Sequence, residues 1–211
     1  SGKVVGKVRT PFPTQDFSSF LLQAQASKAK IIGLANAGGD TINSIKQAAE
    51  FGIVKGGQNL AGMLVFLPDV HALGLDKAQG LLLTETFYWD LNDNTRAWSK
   101  RFAALHGGKM PSSDHAGVYA GVIHYLKAVD AAKTDDGGKV VAKMKALPTD
   151  DILFGKGSVR ADGRKIHPAY LFEVKKPSES KGPYDYYKVA ATIPANEAFR
   201  PLNEGDCPLA K

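Results

Sequence analysis

The chain has 211 residues, is 44% hydrophobic, and carries a formal charge of +6 with a pI near 9.3. That length and apolar content suffice for a sizeable core in one large or two small lobes. The apolar runs, around Leu60–Leu67 and Leu81–Leu83, are strand-sized and fall short of the roughly 18 residues of a membrane-spanning helix. The positive charge is dispersed among acids, and its densest cluster, Lys175, Lys176 and Lys181, brackets a Pro-Ser-Glu-Ser loop with no aromatic inside it. Nucleic acid is therefore not an expected partner.

Ser1-Gly2-Lys3 leads directly into a predicted strand, Val4–Phe12, closed by Pro11 and Pro13. The opening reads as mature protein or fragment, with neither a leader peptide nor a folded preceding segment. Asp16 is placed to cap a helix through Ser27 that carries Phe17, Phe20, Leu21 and Ala24. An apolar strand at Ile31 then enters the loop Ala35-Asn36-Ala37-Gly38-Gly39-Asp40, and a helix through Phe51 follows with Ile42, Ile45 and Ala49 on one face. A third strand is predicted over Leu60–Leu67, a short helix over Asp69–Ala78, and a fourth strand over Gly80–Trp89. This βα winding favours a parallel sheet covered on both faces. The next stretch is helical: Asn92–Leu105, His115–Ala132 with Val118, Val122, Leu126 and Val129 on one face, and Lys139–Leu147 stopped by Pro148. Strands return with a turn over Val159–Arg164, then His167–Val174 and Tyr184–Ile193. The order suggests two α/β lobes sharing one chain.

The glycine loop is the strongest candidate site. Loops at the carboxyl ends of parallel strands are where such sheets bind ligands. Gly38 and Gly39 let backbone approach a solute closely, and the first N–H groups of the following helix suit an anionic group. The plainer reading is a βα connection with Asp40 as helix N-cap. A phosphate loop would need Lys and Ser or Thr after its last glycine, where this chain has Gly39 and Asp40, and the dinucleotide spacing G-x-G-x-x-G is absent. The five histidines, 71, 106, 115, 124 and 167, show no metal-ligand spacing, and Asp90-Leu91-Asn92-Asp93-Asn94 lacks the glycine and closing glutamate of a calcium loop. No metal and no cofactor are expected. Phe87, Tyr88 and Trp89 are consecutive, so strand alternation would send Phe87 and Trp89 to one face, toward either a cleft or the core. No nucleophile elbow, H-E-x-x-H helix or catalytic cysteine signature appears, which leaves an enzyme as an alternative with no positive motif.

Asp16-Phe17-Ser18-Ser19-Phe20, the loop Ala35–Asp40, Asp69-Val70-His71-Ala72-Leu73-Gly74, Val174–Pro177 and Asp185-Tyr186-Tyr187-Lys188-Val189 together resemble the type I periplasmic solute-binding proteins of the leucine/isoleucine/valine-binding group. The match covers nearly the whole chain, which is similar to the C-terminal portion of that group. The resemblance implies a periplasmic-binding-protein type I fold, with parallel-sheet α/β sandwich lobes joined by crossover strands and the first lobe incomplete. The second lobe would comprise residues 1–81 and 149–195, the C-terminal part of the first lobe 82–148 and 196–211, with Leu81–Trp89 as a crossover strand. It also implies a periplasmic or otherwise extracytoplasmic receptor that captures a small organic solute, such as an amino acid or aromatic acid, and delivers it to an ABC transporter permease. The missing N-terminal lobe of the same protein would be a further partner. A sensory domain of the same fold is the alternative, a hydrolytic enzyme the remoter one.

Under that resemblance, an acidic residue after a proline grips the ligand's ammonium, and Pro68-Asp69 matches the position, with His71 in the same segment. Asp69 could equally cap its helix. The group carries an aromatic at the start of the long first-lobe helix, where this chain has Asp114-His115. The departure points from a branched aliphatic amino acid toward a more polar, aromatic or acidic solute. The candidate ligand-binding set is thus Asn36, Ala37, Gly38, Gly39, Asp40, Asp69, His71, Phe87, Trp89, Asp114 and His115. Cys207 is the only cysteine. It is a solitary thiol or, as expected of a secreted protein, half of a disulfide whose partner lies outside this sequence.

Overall fold

A computed structural model describes residues 2–208. In chain order the helices are α1 (Ser18–Ala26), α2 (Gly38–Glu50), α3 (Leu67–Leu73), α4 (Leu75–Ala78), α5 (Asp93–Leu105), α6 (Ser113–Ala132) and α7 (Gly137–Ala146). The strands are β1 (Ile31–Leu34), β2 (Asn59–Gly62), β3 (Leu82–Glu85), β4 (Thr149–Asp151), β5 (Gly155–Val159), β6 (Lys165–Ile166), β7 (Ala169–Val174) and β8 (Tyr187–Ile193). The described residues form two compact units, one of residues 2–84 with Leu171–Ala190, the other of Glu85–Tyr170 with residues 191–208.

The first unit is built on a sheet of order β1-β2-β3-β7-β8. β1 and β2 pair in parallel from Ile31↔Asn59 to Leu34↔Gly62, and β2 and β3 in parallel through Ala61↔Leu82 and Gly62↔Leu83. Parallel strands need helical crossovers, and those crossovers cover the sheet. Ile45 and Ala48 of α2, Leu67 and Val70 of α3, Leu81 just before β3, and Leu83, Phe172 and Val174 of the strands are buried in consequence. Gly74, at φ +75°, separates α3 from α4 where one helix was expected. The expected strand Val4–Phe12 has no ladder partner among the described strands: Val4, Val5 and Phe12 are exposed and the segment is irregular. The third strand stops at Gly62, where the backbone turns toward α3 so tightly that a Cβ would lie 2.3 Å from Val65 Cγ2.

Helix α2 starts before Asp40. Ala37 is its N-cap, and Asp40 stands in the first turn, where its Oδ1 accepts from the Thr14 backbone N–H at 3.3 Å. Gln47 also holds the segment before α1, accepting from Phe17 N–H at 2.7 Å and donating to the Gln15 carbonyl at 2.8 Å. These bonds dock residues 14–17 on α2.

The second unit is helical with a small antiparallel sheet, β4-β5-β6. Residues 149–170 belong to it rather than to the sheet-based unit, because β4–β6 form a sheet of their own that is tied to the helices. Lys127 donates to the Asp150 carbonyl at 3.0 Å, and Lys145 to that of Ala161 at 2.6 Å. On α6 the stripe that is buried is the small one. Ala116, Ala120, His124 and Ala128 face inward, while Val118, Val122 and Leu126 are 68%, 50% and 53% exposed. The small stripe allows close approach within the unit, where His124 Nε2 lies 2.8 Å from the Met144 carbonyl of α7.

Candidate solute-binding surfaces

In the first unit, the βα loops after β1 and β2 leave the same carboxyl edge of the sheet. Asn36 is spent on holding its loop: it accepts from Thr41 Oγ1 at 2.9 Å and donates to Ser44 Oγ at 2.9 Å, while Ser44 donates to the Asp40 carbonyl at 2.7 Å. With Asn36 and buried Asp40 turned to α2 and Thr14, the exposed face is the backbone of Ala37, Gly38 and Gly39 at the opening of α2. The first N–H groups of a helix have no intrahelical acceptor. Gly38 adopts φ +57°, whereas Gly39 does not need the left-handed region, and a Cβ on either meets open space within 4 Å. Gly39 is thus the position where bulk can be added without backbone strain.

Asp69 occupies the N3 position of α3, and its Oδ2 accepts from the Phe66 backbone N–H at 2.9 Å. It therefore performs the capping role, with Pro68 in the first turn as helix starts favour. Met63 and Leu64, exposed beside the β1 exit, were not singled out from the sequence. The Met63 N–H donates to the Leu34 carbonyl at 3.0 Å, which puts this apolar pair next to the glycine loop. The signal would have been two large apolar residues stranded between a strand end and a helix cap.

His71 lies elsewhere. Its Nδ1 is 2.7 Å from Tyr186 Oη and its ring stacks on Tyr184 at 4.5 Å. Lys175 N–H donates to the Tyr186 carbonyl at 2.7 Å, and Val174 pairs with Gly80 and Leu81 where β3 begins. His71, two residues on from Asp69 in α3, thus turns its ring to Tyr184 and Tyr186, whose strand joins the sheet where β3 begins.

In the second unit, Phe87 is 1% exposed and packs edge-on to Trp98 at 5.8 Å in a cluster with Ala116 and Leu153; Trp89 packs on its rim. Strand alternation does not apply to these aromatics, since β3 ends at Glu85 and a turn follows. Phe87 offers no surface to a solute. Asp114 and His115 lie in the first turn of α6, where Ser112 N–H donates to His115 Nδ1 at 3.2 Å. Their neighbours are Trp98, Phe102, Val118 and Val122, with which they line an apolar groove of about 590 Å³. The structure brings Asn36–Asp40 and Asp69 to one edge of the first unit, and Asp114 with His115 to one groove of the second.

A sequence profile of the family described as periplasmic binding protein matches residues 1–183. Among solved structures, a periplasmic binding protein from Burkholderia mallei is 56% identical, with a TM-score of 0.91 over 100% of this chain and 55% of that one. A branched-chain amino acid ABC transporter periplasmic ligand-binding protein from Burkholderia xenovorans LB400 is 46% identical, with a TM-score of 0.89 over 100% and 56%. A solute-binding protein of an ABC transporter from Rhodopseudomonas palustris HaA2, in complex with p-hydroxybenzoic acid, shares the fold at 24% identity and a TM-score of 0.78, over 92% and 53%. A search of curated protein sequences gave no match. The chain spans about 55% of the length of its two more similar neighbours. By the profile match and this likeness, the chain belongs to the periplasmic binding protein family of ABC transporters, with the type I fold.

Proposed function

We propose that the chain is part of an extracytoplasmic receptor that captures a small carboxylate-bearing solute and delivers it to the membrane permease of an ABC transporter. The observation that carries the reading is the exposed backbone of Gly38 and Gly39 opening α2 at the carboxyl edge of a parallel sheet. Helix-terminal N–H groups and the positive end of the helix dipole favour an anionic group there, and glycine leaves room for it. The neighbour from Burkholderia xenovorans is described as a branched-chain amino acid protein, and that from Rhodopseudomonas palustris holds p-hydroxybenzoic acid. Both solute classes carry a carboxylate. Asp69, Met63 and Leu64 beside the loop complete the proposed lining in this unit; Asp114 and His115 line a separate candidate groove of the second unit.

The remaining part of the protein is a proposed partner, covering Val118, Val122 and Leu126 of α6. The 211-residue chain alone then binds solute weakly. In the complete receptor, Gly39→Val should lower affinity for amino acids or aromatic acids at least tenfold by calorimetry, with the unfolding midpoint unchanged. A change below threefold would remove the glycine loop from the site.

A further inference from the structure

Unit two holds an arrangement that lies outside the proposed solute-binding residues. The His167 ring sits between Phe154, at 4.8 Å with planes 35° apart, and Phe199, at 5.3 Å and 87°. Each flanking ring already carries a cation: Lys165 Nζ lies 4.4 Å from the Phe154 centroid, and the Arg164 guanidinium 5.4 Å from that of Phe199. His167 Nδ1 is 2.9 Å from the Pro168 carbonyl oxygen, so this nitrogen bears a proton and a neutral ring keeps its lone pair on Nε2.

The charged groups that act on the ring are Lys165, Arg164 and Asp151. The Asp151 carboxylate is engaged by Lys165 at 2.6 Å and by the Leu153 and Phe154 N–H groups at 2.9 and 2.8 Å. A second ring proton would therefore meet burial and two cations, opposed by a paired carboxylate and one carbonyl. Burial foremost, with Lys165 and Arg164 adding to it against the Pro168 carbonyl and Asp151, holds the imidazole below its ordinary value of 6.5.

The position gives this cluster leverage. His167 stands two residues before β7, whose residues from Leu171 on belong to the first unit. It also lines a cavity of about 210 Å³ in unit two that includes Thr86 and Tyr170, which stand beside two of the points where the chain passes between units. Phe199 comes from the C-terminal tail, so the histidine joins hairpin and tail at the root of a connecting strand.

We propose that the stack Lys165–Phe154–His167–Phe199–Arg164 is an acid-sensitive latch, closed while His167 is neutral and loosened when the ring gains a second proton, which frees the start of β7 from unit two. The inference is independent of the solute reading. Because the fold favours the neutral ring, the unfolded chain binds more protons in this range; the latch's stability is full above about 6.5 and is lost as pH falls through the lower folded value.

The test is a histidine NMR titration of the 211-residue chain, paired with thermal unfolding between pH 7.5 and pH 4.5. The His167 midpoint should fall below the ordinary 6.5, with the Phe154 and Phe199 ring signals moving in step, and Lys165→Gln should raise it. Wild type should lose more unfolding temperature on acidification than His167→Phe. A midpoint at or above 6.5, ring signals that do not follow it, or no response to Lys165→Gln would overturn the latch. Should His167→Phe fail to fold, the wild-type and Lys165→Gln titrations decide alone.

Discussion

The candidate surfaces of the two units are made of opposite materials. In the first, side chains are withdrawn: Asn36 and Asp40 bond back to Thr41, Ser44 and Thr14, and backbone is left to face outward at Gly38 and Gly39. In the second, the backbone is inside helices, and the surface is Trp98, Phe102, Val118 and Val122. A backbone surface recognises polar and anionic groups through fixed N–H donors, whereas an apolar groove gains only by being covered. The same division runs through the glycines. Gly39 faces open space, but a Cβ at Gly157 of β5 would lie 2.3 Å from the Ile166 carbonyl oxygen and 2.8 Å from Thr149 Oγ1.

The comparison is broken most severely by adding one methyl group to each. Gly157→Ala must push apart the β5–β6 ladder, and overpacking of this kind costs about 1–3 kcal/mol. Gly39→Ala should leave stability unchanged or raise it by about 0.4–1 kcal/mol, since the unfolded chain loses freedom and the fold pays nothing. Urea unfolding of both variants measures the contrast. Equal losses would mean that the glycine loop is as tightly enclosed as the hairpin.

Two helix starts sharpen it further. Asn92 Oδ1 accepts from the Thr95 N–H at 3.0 Å as N-cap of α5, and Asp69 accepts from Phe66 N–H at the start of α3. Removing a cap costs about 0.5–2 kcal/mol, so Asn92→Ala and Asp69→Ala should lose comparable stability. Only Asp69→Ala should also reduce solute affinity in the complete receptor, as its position beside the glycine loop requires if it touches the solute. A stability loss with less than a threefold change in affinity would leave Asp69 as a cap alone.

The first unit was largely legible because its helices and strands repeat with clear periods and its connections begin with Gly, Asn or Asp. Strand ends were not legible: the strand expected to run to Leu67 stops five residues earlier, at Gly62, where the backbone turns so tightly that a Cβ would lie 2.3 Å from Val65 Cγ2, while the apolar run continues unbroken. Asp40 was misplaced as N-cap since a carboxylate in the first turn looks alike in sequence whether it caps or, as here, holds a distant backbone N–H. His71 stood close to Asp69 in sequence, but two residues apart on a helix are about 200° apart round its axis, and Asp69 bonds back to Phe66 while the His71 ring meets Tyr184 and Tyr186. For α6 the sequence showed the large apolar stripe but not that Val118, Val122 and Leu126 on it are exposed. Amphipathicity places a large apolar stripe without saying whether this chain or another covers it.

That exposed face yields the smallest expected effect on the chain itself. Val118 and Val122 are exposed on α6 and belong to the groove, so exchanging both for serine removes no contact that holds the isolated chain together. Its stability should stay within about 0.5 kcal/mol of wild type, as for other surface changes. Apolar patches of this kind promote association of the molecules that expose them, so the wild-type chain should sediment as larger species that the Val118→Ser, Val122→Ser variant no longer forms. In the complete receptor the same pair should be covered, and there the two exchanges should cost stability of the size that follows from burying valine, about 1.5–3 kcal/mol for each side chain fully removed from water. A variant that destabilises the isolated chain as much as the complete receptor would show that α6 packs its large face within these 211 residues. Equal sedimentation of wild type and variant, with no penalty in the complete receptor, would show that the face is covered by nothing.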